Sequence, residues 1–336
     1  MCEPATYGDV TAEYTALRTG AGVVAGAHDV VWVEGPDAVG FLDGILSQDV
    51  AGLLDGEVAR SFLLEPRGKL RAVLWLLRGA DRVALVADGG RGPGVAADLE
   101  RFRFRVDATV TAETRPVATL VGPGAPAVLE AAGLREPGGW TEAEGVLVAA
   151  TPLGGLDRYV VAGRGPEDLA EAGAVPAGGL AASAVRVEAG EPRMGYDVDE
   201  RTIPHETGLV PLAVSFTKGC YLGQELVARI DSRGHVNRHL RGVAITENVL
   251  PPEGAALVAD GDEVGRLTSV AESLAVRAPI GLALVRREVE PGAAVDVLWE
   301  GGTTRAVIRA LPFDDFSFTD LEQDGTTMGP GSEEAR

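Results

Sequence analysis

The chain has very few of the side chains that proteins commonly use for chemistry. Its 336 residues include two lysines, two cysteines, two asparagines, three glutamines and four histidines, and only 5% are aromatic. Two cysteines, Cys2 and Cys220, are too few for a disulfide framework, so we expect a cytoplasmic protein in a reducing compartment. Because aromatic residues are scarce, the core must consist mainly of Val, Leu and Ala.

Positive charge and long apolar runs are scarce as well. The formal net charge is −20, which argues against a sequence-independent nucleic-acid binder, because such proteins need a broad basic surface. The apolar runs, such as residues 72–77, have the length of a strand and are far too short to span a membrane. The first twenty residues lack the basic and apolar regions of a secretory signal. We therefore expect neither a membrane nor a nucleic acid as a direct partner.

The rare residue types are concentrated in one stretch, which we interpret as a site. Between residues 205 and 239 lie one lysine, one cysteine, one glutamine, one asparagine and three of the four histidines. The apolar spacing of residues 224–230 is typical of a helix. If that helix begins near Leu222, its dipole and the Lys218 ammonium both favour a thiolate at Cys220. Cys220 would then be a nucleophile or a soft metal ligand, and the alternative is a small buried hydrophobic residue.

The strand and helix patterns predict an α+β protein with a separate C-terminal β domain. Strands and helices alternate at short spacing in the first two thirds of the chain, with a hairpin signal at residues 65–69, which favours α+β layers over one parallel sheet. From Leu240 onward, short β-rich segments indicate a small antiparallel barrel or sandwich. Residues 314–336 carry seven acidic residues and one arginine, and we expect a disordered acidic tail.

Residues 218–225, Lys-Gly-Cys-Tyr-Leu-Gly-Gln-Glu, resemble the K-G-C-Y-x-G-Q-E signature of the YgfZ-type folate-binding proteins. These form a branch of the glycine-cleavage T-protein (aminomethyltransferase) family. The resemblance implies two interleaved α+β modules and a β-barrel around a central channel. We expect the first module to contain residues 1–50 and 112–238, the second residues 51–111, and the barrel residues 239–313.

The resemblance also implies which residues hold the folate. Glu188 matches the family's pterin-binding glutamate, and a carboxylate can accept two parallel hydrogen bonds from the amino-pyrimidinone edge of a pterin. The alternative for Glu188 is a surface ion pair at a helix end. We assign further folate contacts to Tyr221, Gln224, Arg229 and Arg241. Residues 229–241 form the densest basic segment of the chain, suited to the glutamate tail of folate, a phosphate or an acidic partner, or alternatively a solvated basic face.

One departure from the family pattern concerns the transfer reaction. In our alignment Arg71 stands where the T-protein carries the aspartate that aminomethyl transfer requires, and an arginine cannot accept a proton. We therefore expect a tetrahydrofolate-binding protein that supports iron–sulfur cluster assembly or repair, and through it tRNA-modifying radical enzymes. Cys220 and Lys218 would be its working residues, with Cys220 a candidate ligand of a cluster shared with an assembly protein or client enzyme. The alternatives are a folate-dependent aminomethyl or methyl transferase and a non-catalytic folate sensor or scaffold.

Overall fold

The computed structural model describes residues 4–313, apart from the side chain of Arg233. Cys2 and the expected acidic tail, residues 314–336, lie outside the described residues. The helices are α1 (Val10–Thr19), α2 (Ala38–Ile45), α3 (Gly92–Phe102), α4 (Ala125–Ala131), α5 (Pro166–Glu171), α6 (Gly179–Glu188), α7 (Val210–Ala213) and α8 (Gln224–Arg233), with a 3-10 helix at Pro204–Thr207. None of these helices has both the length and the apolar character that a membrane span requires.

The strands fall into two sheets and a barrel. The first sheet contains β1 (Gly22–Ala25), β7 (Val117–Val121), β8 (Trp140–Ala143), β9 (Val146–Ala150), β10 (Arg158–Ala162) and β11 (Val175–Pro176). The second contains β2 (His28–Glu34), β3 (Val58–Leu64), β4 (Leu70–Arg78), β5 (Arg82–Asp88) and β6 (Thr109–Ala112). The barrel contains β12 (Arg238–Ile245), β13 (Ala256–Ala259), β14 (Asp262–Ser273), β15 (Ala278–Arg286), β16 (Ala294–Trp299) and β17 (Gly302–Arg309).

The first sheet has the strand order β11-β1-β7-β10-β9-β8 and is antiparallel except for the pair of β1 with β11. Helices α4 and α5 cover one face through buried residues such as Leu129 and Leu169. Helices α1 and α6 place Leu17 and Val185 in a core that also contains the barrel residue Ile280. These two helices therefore connect the first sheet to the barrel.

The second sheet has the order β3-β4-β5-β2-β6 and is antiparallel. Helices α2 and α3 cover one face, and the other face packs against the first sheet through residues that include Trp32 and Val160. This pairing corrects the expected boundary between the modules. Strand β2 pairs with β5 and β6, so residues 28–50 belong to the second module and not, as we expected, to the first.

The C-terminal strands close into a six-stranded antiparallel barrel, in the order β12-β15-β14-β13-β16-β17. Its interior is filled by Val, Leu, Ile and Ala side chains such as Val243, Leu267 and Ile308, as the scarcity of aromatic residues requires. The expected α+β class and the C-terminal β-barrel are both confirmed.

The β3–β4 hairpin and the loop before α8 fit together through two glycines. Gly223 adopts φ +79°, and a Cβ there would lie 2.6 Å from the carbonyl oxygen of Glu65. Gly68, in the hairpin turn, adopts φ +82°, and a Cβ there would lie 2.6 Å from the Cβ of Leu226. A side chain at either position would separate the hairpin from the loop.

We expect Gly223→Ala to destabilise the protein more than Gly133→Ala does. Both glycines have positive φ, which costs an alanine about 1–3 kcal/mol, but Gly133 has open space at its Cβ position and Gly223 does not. The difference between the two free energies of unfolding, measured with urea, isolates the steric contact with the hairpin. Equal losses would show that the hairpin can move aside without cost.

Candidate functional site

A cavity of about 700 Å³ lies where the two sheets and the barrel meet. We call it the central cavity. Arg60 and Trp75 of the second sheet, Glu191 after α6, and Arg241 of the barrel are among the residues that line it. This cavity corresponds to the central channel that we expected. Arg241, the last residue of the basic segment 229–241, lies in its wall, and we expected that segment to bind an anion.

Glu191 holds the wall of the central cavity together through two arginines. Its carboxylate accepts hydrogen bonds from Arg158 at 2.8 and 3.3 Å and a further one from Arg60. The Arg60 guanidinium also lies 4.2 Å from the centre of the Trp75 ring. Burial alone would raise the pKa of Glu191, but the charges of Arg158 and Arg60 outweigh it and hold the pKa at about 2. Glu191 is thus a permanent anion between two permanent cations.

A second, more enclosed cavity of about 140 Å³ shares Glu191 with the central cavity. One side is aliphatic and includes Leu17 and Val121, while the other presents His28 and Asp88. The Nδ1 atom of the buried His28 imidazole lies 2.9 Å from the Thr119 hydroxyl. Burial, with the charge of Arg158, lowers the pKa of His28 to about 3, so this imidazole is neutral.

Asp88 is the second titratable group of the enclosed cavity. Its carboxylate accepts a hydrogen bond of 2.7 Å from the backbone N–H of Met194. Burial raises the pKa of Asp88 to about 6, because the charged form loses hydration. Asp88 can therefore change its protonation state close to neutral pH, whereas Glu191 cannot.

Glu188 lies at the end of α6, behind the wall of the central cavity. Its Oε1 accepts hydrogen bonds from Tyr14, at 2.6 Å, and from Ser273. Its Oε2 is buried without a hydrogen-bond partner, and Arg18 Nη1 lies 3.6 Å away. Burial and the hydrogen bond to Glu188 raise the pKa of Tyr14 to about 12. The alternative of a surface ion pair is wrong, because only 5% of the Glu188 side chain is exposed.

A void of about 30 Å³ adjoins the Glu188 carboxylate. Gly154 and Ala189 line both this void and the central cavity. Glu188 Oε2, which has no hydrogen-bond partner, is therefore close to the central cavity, although Glu188 itself is not among the residues lining that cavity in the described part of the chain. Its assignment to the pterin remains a prediction.

The loop of residues 218–223 presents Cys220 to solvent. The alternative of a buried hydrophobic cysteine is therefore wrong. Helix α8 begins at Gln224 and its N-cap, Gly223, has a left-handed conformation. The helix predicted from residues 224–230 is therefore present, but it begins two residues after Leu222, and Cys220 lies three residues before the N-cap, outside the first turn. Because the field of a helix dipole is confined to its first turn, it does not account for activation of this thiol.

Lys218 is directed into the second module and is 1% exposed. Its ammonium donates hydrogen bonds to the backbone carbonyls of Asp43, Leu46 and Gln48 and pairs with the Asp43 carboxylate at 3.0 Å. Every hydrogen bond described for this ammonium goes to the end of α2 and the loop after it. Lys218 was expected to favour a thiolate at Cys220, and its contacts instead indicate that it anchors the loop.

The other residues assigned to folate lie away from both cavities, within residues 4–313. Tyr221 is buried in a core with Phe62, and burial raises its pKa to about 12. The Gln224 side chain accepts a hydrogen bond of 3.3 Å from the Tyr221 N–H. Arg229 is exposed and pairs with Glu225. These contacts give Tyr221 and Gln224 structural roles, and of the cationic folate contacts only Arg241 lines the central cavity.

Arg71, which occupies the position where the resemblance implies a carboxylate, forms an ion pair with Asp98. Its guanidinium donates two hydrogen bonds, of 2.9 and 3.1 Å, to Asp98 of α3. No group of three His, Cys, Asp or Glu side chains within the described residues could hold a metal ion.

Sequence reasoning missed the buried charges around the two cavities. His28, one of only four histidines, could have been noticed by the same compositional argument that singled out Cys220. Arg158, in a strand, is 4% exposed, but a strand pattern alone does not reveal where such a side chain finds its partner. Glu191 follows Glu188 closely in a charged, irregular passage, and only the fold distinguishes their surroundings.

Comparisons with known proteins place these features in context. Residues 238–315 match the model of the glycine cleavage T-protein C-terminal barrel domain. The chain is 31% identical over 329 residues to an aminomethyltransferase of Rubrobacter xylanophilus, with 92% of this chain and 87% of the relative covered. It is 29% identical over 335 residues to an aminomethyltransferase of Thermus thermophilus, with 92% of each covered.

The structural comparison extends over the same modules. A crystal structure of the glycine cleavage system aminomethyltransferase T from Bartonella henselae superposes with a TM-score of 0.86 at 27% sequence identity. The superposition covers 94% of this chain and 92% of the other. Both α+β modules and the barrel therefore have counterparts in this relative.

We expect Glu191→Gln to lower the free energy of unfolding by about 3–5 kcal/mol at pH 7, because it leaves buried arginine charges uncompensated. The pKa of about 2 in the folded protein lies below the ordinary glutamate pKa of 4.5, so the stabilising contribution is full above pH 4.5 and is lost as the pH falls towards 2. Urea unfolding at several pH values measures this. The matched control is Glu225→Gln, whose exposed pair should contribute under about 1 kcal/mol. A loss that does not vary between pH 4.5 and 2 would contradict the assignment.

Proposed function

The chain belongs to the glycine-cleavage T-protein family, and on that premise we propose that it binds tetrahydrofolate in the central cavity. The observation that carries this proposal is that Glu188 Oε2 is buried without a hydrogen-bond partner, facing Arg18 in a small void next to the central cavity that Arg241 lines. An unsatisfied buried carboxylate oxygen is costly, and donors on a ligand would compensate it. The Arg241 guanidinium suits the carboxylates of a folate glutamate tail.

The residues present fit a folate better than they fit catalysis of aminomethyl transfer. Glu191 is held ionised by its two arginines and is a poor proton donor, while Arg71 is paired with Asp98. Among the described residues, the central cavity thus has one carboxylate, Glu191, that can orient polar groups of a ligand, and it has cations that can bind the anionic groups of that ligand. These features support binding of the cofactor without the acid–base step that the family's aspartate provides.

We further propose that the folate-bound protein supports assembly or repair of iron–sulfur clusters, with Cys220 as the working thiol. The support comes from the K-G-C-Y-L-G-Q-E loop, which exposes the thiol, while Lys218 anchors the loop to α2 through Asp43. One cysteine cannot hold a cluster alone, so the cluster would be cargo whose other ligands come from an assembly protein or a client enzyme. The effect on tRNA-modifying radical enzymes would follow from that cargo.

An aminomethyltransferase is the second candidate, favoured by the names of the relatives in R. xylanophilus and T. thermophilus. Release of ammonia and a one-carbon unit from an aminomethyl donor in the presence of tetrahydrofolate would establish it. A non-catalytic folate scaffold is the remaining alternative, and it predicts that Cys220→Ser keeps every cellular function.

We expect tetrahydrofolate to raise the melting temperature, with about 2.7 kcal/mol of added stability at a ligand concentration one hundred times Kd. Glu188→Gln and Arg241→Met should each reduce this shift, because each removes one proposed contact. Arg305→Met, at an exposed barrel position, is the matched control and should keep the full shift. If the rise in melting temperature were unchanged in Glu188→Gln but lost in Asp88→Asn, the pterin would bind in the enclosed cavity instead.

We expect a strain that carries only Cys220→Ala to lose activity of iron–sulfur enzymes while the purified variant keeps its tetrahydrofolate-dependent rise in melting temperature. The exposed thiol contributes no packing, so the variant should fold normally. Activities of several iron–sulfur enzymes in cell extracts provide the measurement. Full activity in this strain would refute the role of the thiol and leave folate binding standing.

A further inference from the structure

A basic surface surrounds the β3–β4 hairpin, although the chain has a net charge of −20. Arg67 and Lys69 occupy the hairpin turn. The hairpin is flanked on one side by the end of α3 and the residues that follow this helix. Helix α8 flanks the hairpin on the other side. Arg101 and Arg229 have 73% and 66% of their side chains exposed, respectively. We call this the hairpin surface, and its cations are Arg67, Lys69, Arg71, Arg101, Arg103, Arg105 and Arg229.

The parts of the hairpin surface are in direct contact with one another. A groove of about 180 Å³ between the hairpin and α3 is lined by residues that include Pro66, Arg71 and Phe102. On the opposite side, the hairpin packs against Gly223 and Leu226. Cys220 lies in the loop that ends at Gly223, so the exposed thiol borders the same surface.

Several of these cations have no carboxylate partner. Arg71 and Arg101 both pair with Asp98, Arg103 pairs with Glu100, and Arg229 pairs with Glu225. Within residues 4–313, no ion pair involves Arg67 or Lys69, and the guanidinium of Arg105 contacts only the ring of Phe104, at 5.2 Å. Phe104 is 76% exposed. Unpaired cations beside an exposed aromatic ring are typical of a protein-binding surface.

We propose that the hairpin surface docks an acidic face of a partner protein and so brings that partner to Cys220. This inference rests on the proposed function, because it describes the partner of the same thiol. A partner with an acidic face is repelled by most of this chain and attracted at the hairpin surface. Such a charge arrangement fixes the orientation of the encounter and accelerates it.

The charge distribution favours a folded protein over a nucleic acid or an anionic membrane. A long polyanion or a lipid surface would extend beyond the hairpin surface and meet the negative charge that dominates the rest of the chain. A partner whose acidic face is no wider than the hairpin surface avoids that repulsion. The exposed Phe104 gives such a partner an apolar contact within the same area.

The test uses charged peptides that react with Cys220, in a protein that carries Cys2→Ser so that Cys220 is its only thiol. A twelve-residue glutamate peptide carries one terminal cysteine as its mixed disulfide with 2-thiopyridine, and a glutamine peptide and a lysine peptide carry the same group. The Cys220 thiolate attacks the peptide sulfur, a new disulfide forms, and pyridine-2-thione leaves and is measured by its absorbance. In 10 mM salt we expect the glutamate peptide to react about tenfold faster than the glutamine peptide, and the ratio to approach one in 0.5 M salt.

Charge reversal locates the effect on the surface. The variant Arg67→Glu, Lys69→Glu, Arg229→Glu should lose the preference for the glutamate peptide and keep the rate with the glutamine peptide. The matched control is Arg266→Glu, Arg277→Glu, Arg305→Glu on the barrel, which also breaks one exposed ion pair and should keep the preference.

Three results would overturn the proposal. They are equal rates for all peptides in low salt, a preference that survives reversal at the hairpin, and an oligouridylate with the same activated disulfide reacting faster than the glutamate peptide. The last result would identify a nucleic acid as the better ligand. None of them affects the cellular test of Cys220→Ala, so failure of the docking proposal and failure of the proposed function are distinguishable.

Discussion

The buried ion pair of Glu191 with Arg158 and Arg60 is the interaction on which the central cavity depends. Arg158 comes from the first sheet, Arg60 from the second, and Glu191 from the passage that leads from α6 towards the barrel. One carboxylate thus joins the two sheets at the point where the cavity opens. Since each member would be costly to bury alone, the three side chains stabilise one another only in this arrangement of modules.

A second buried charge fixes the reactive loop in a different way. The Lys218 ammonium donates hydrogen bonds to the backbone carbonyls of Leu46 and Gln48 that follow α2, where a helix C-terminus attracts a cation. The loop is therefore held by its lysine and by the fit of Gly223 against the hairpin, and Cys220 remains free for contact with other molecules. Lys218 lies close to Cys220 along the chain. The fold nevertheless directs its ammonium to oxygens of another module.

The fold was more predictable from sequence than the site, for a physical reason. Strand and barrel signals are local, because they depend on alternation and turn residues within a few positions, and they correctly indicated an α+β chain with a terminal barrel. The assignment of β2 to the second sheet depends on pairing with β5, whose residues lie 48 to 60 positions further along the chain, and no local pattern encodes it. The partners of Glu191 and Lys218 are likewise distant in sequence, so residue type suggested a site whereas only the fold shows which charges meet.

Arg71 directs its charge to α3 and to the groove beside the hairpin, and it is not among the described residues that line the central cavity. In this chain Asp98 of α3 accepts both of its hydrogen bonds, so its charge is neutralised beside the hairpin. Within residues 4–313, no ion pair involves Arg67 or Lys69 of the turn, so these two cations remain unpaired beside the loop that carries the exposed thiol. Our alignment predicts that Arg71 takes the place of the family's aspartate, and on that prediction one substitution both removes a proton acceptor and adds a cation to the hairpin surface.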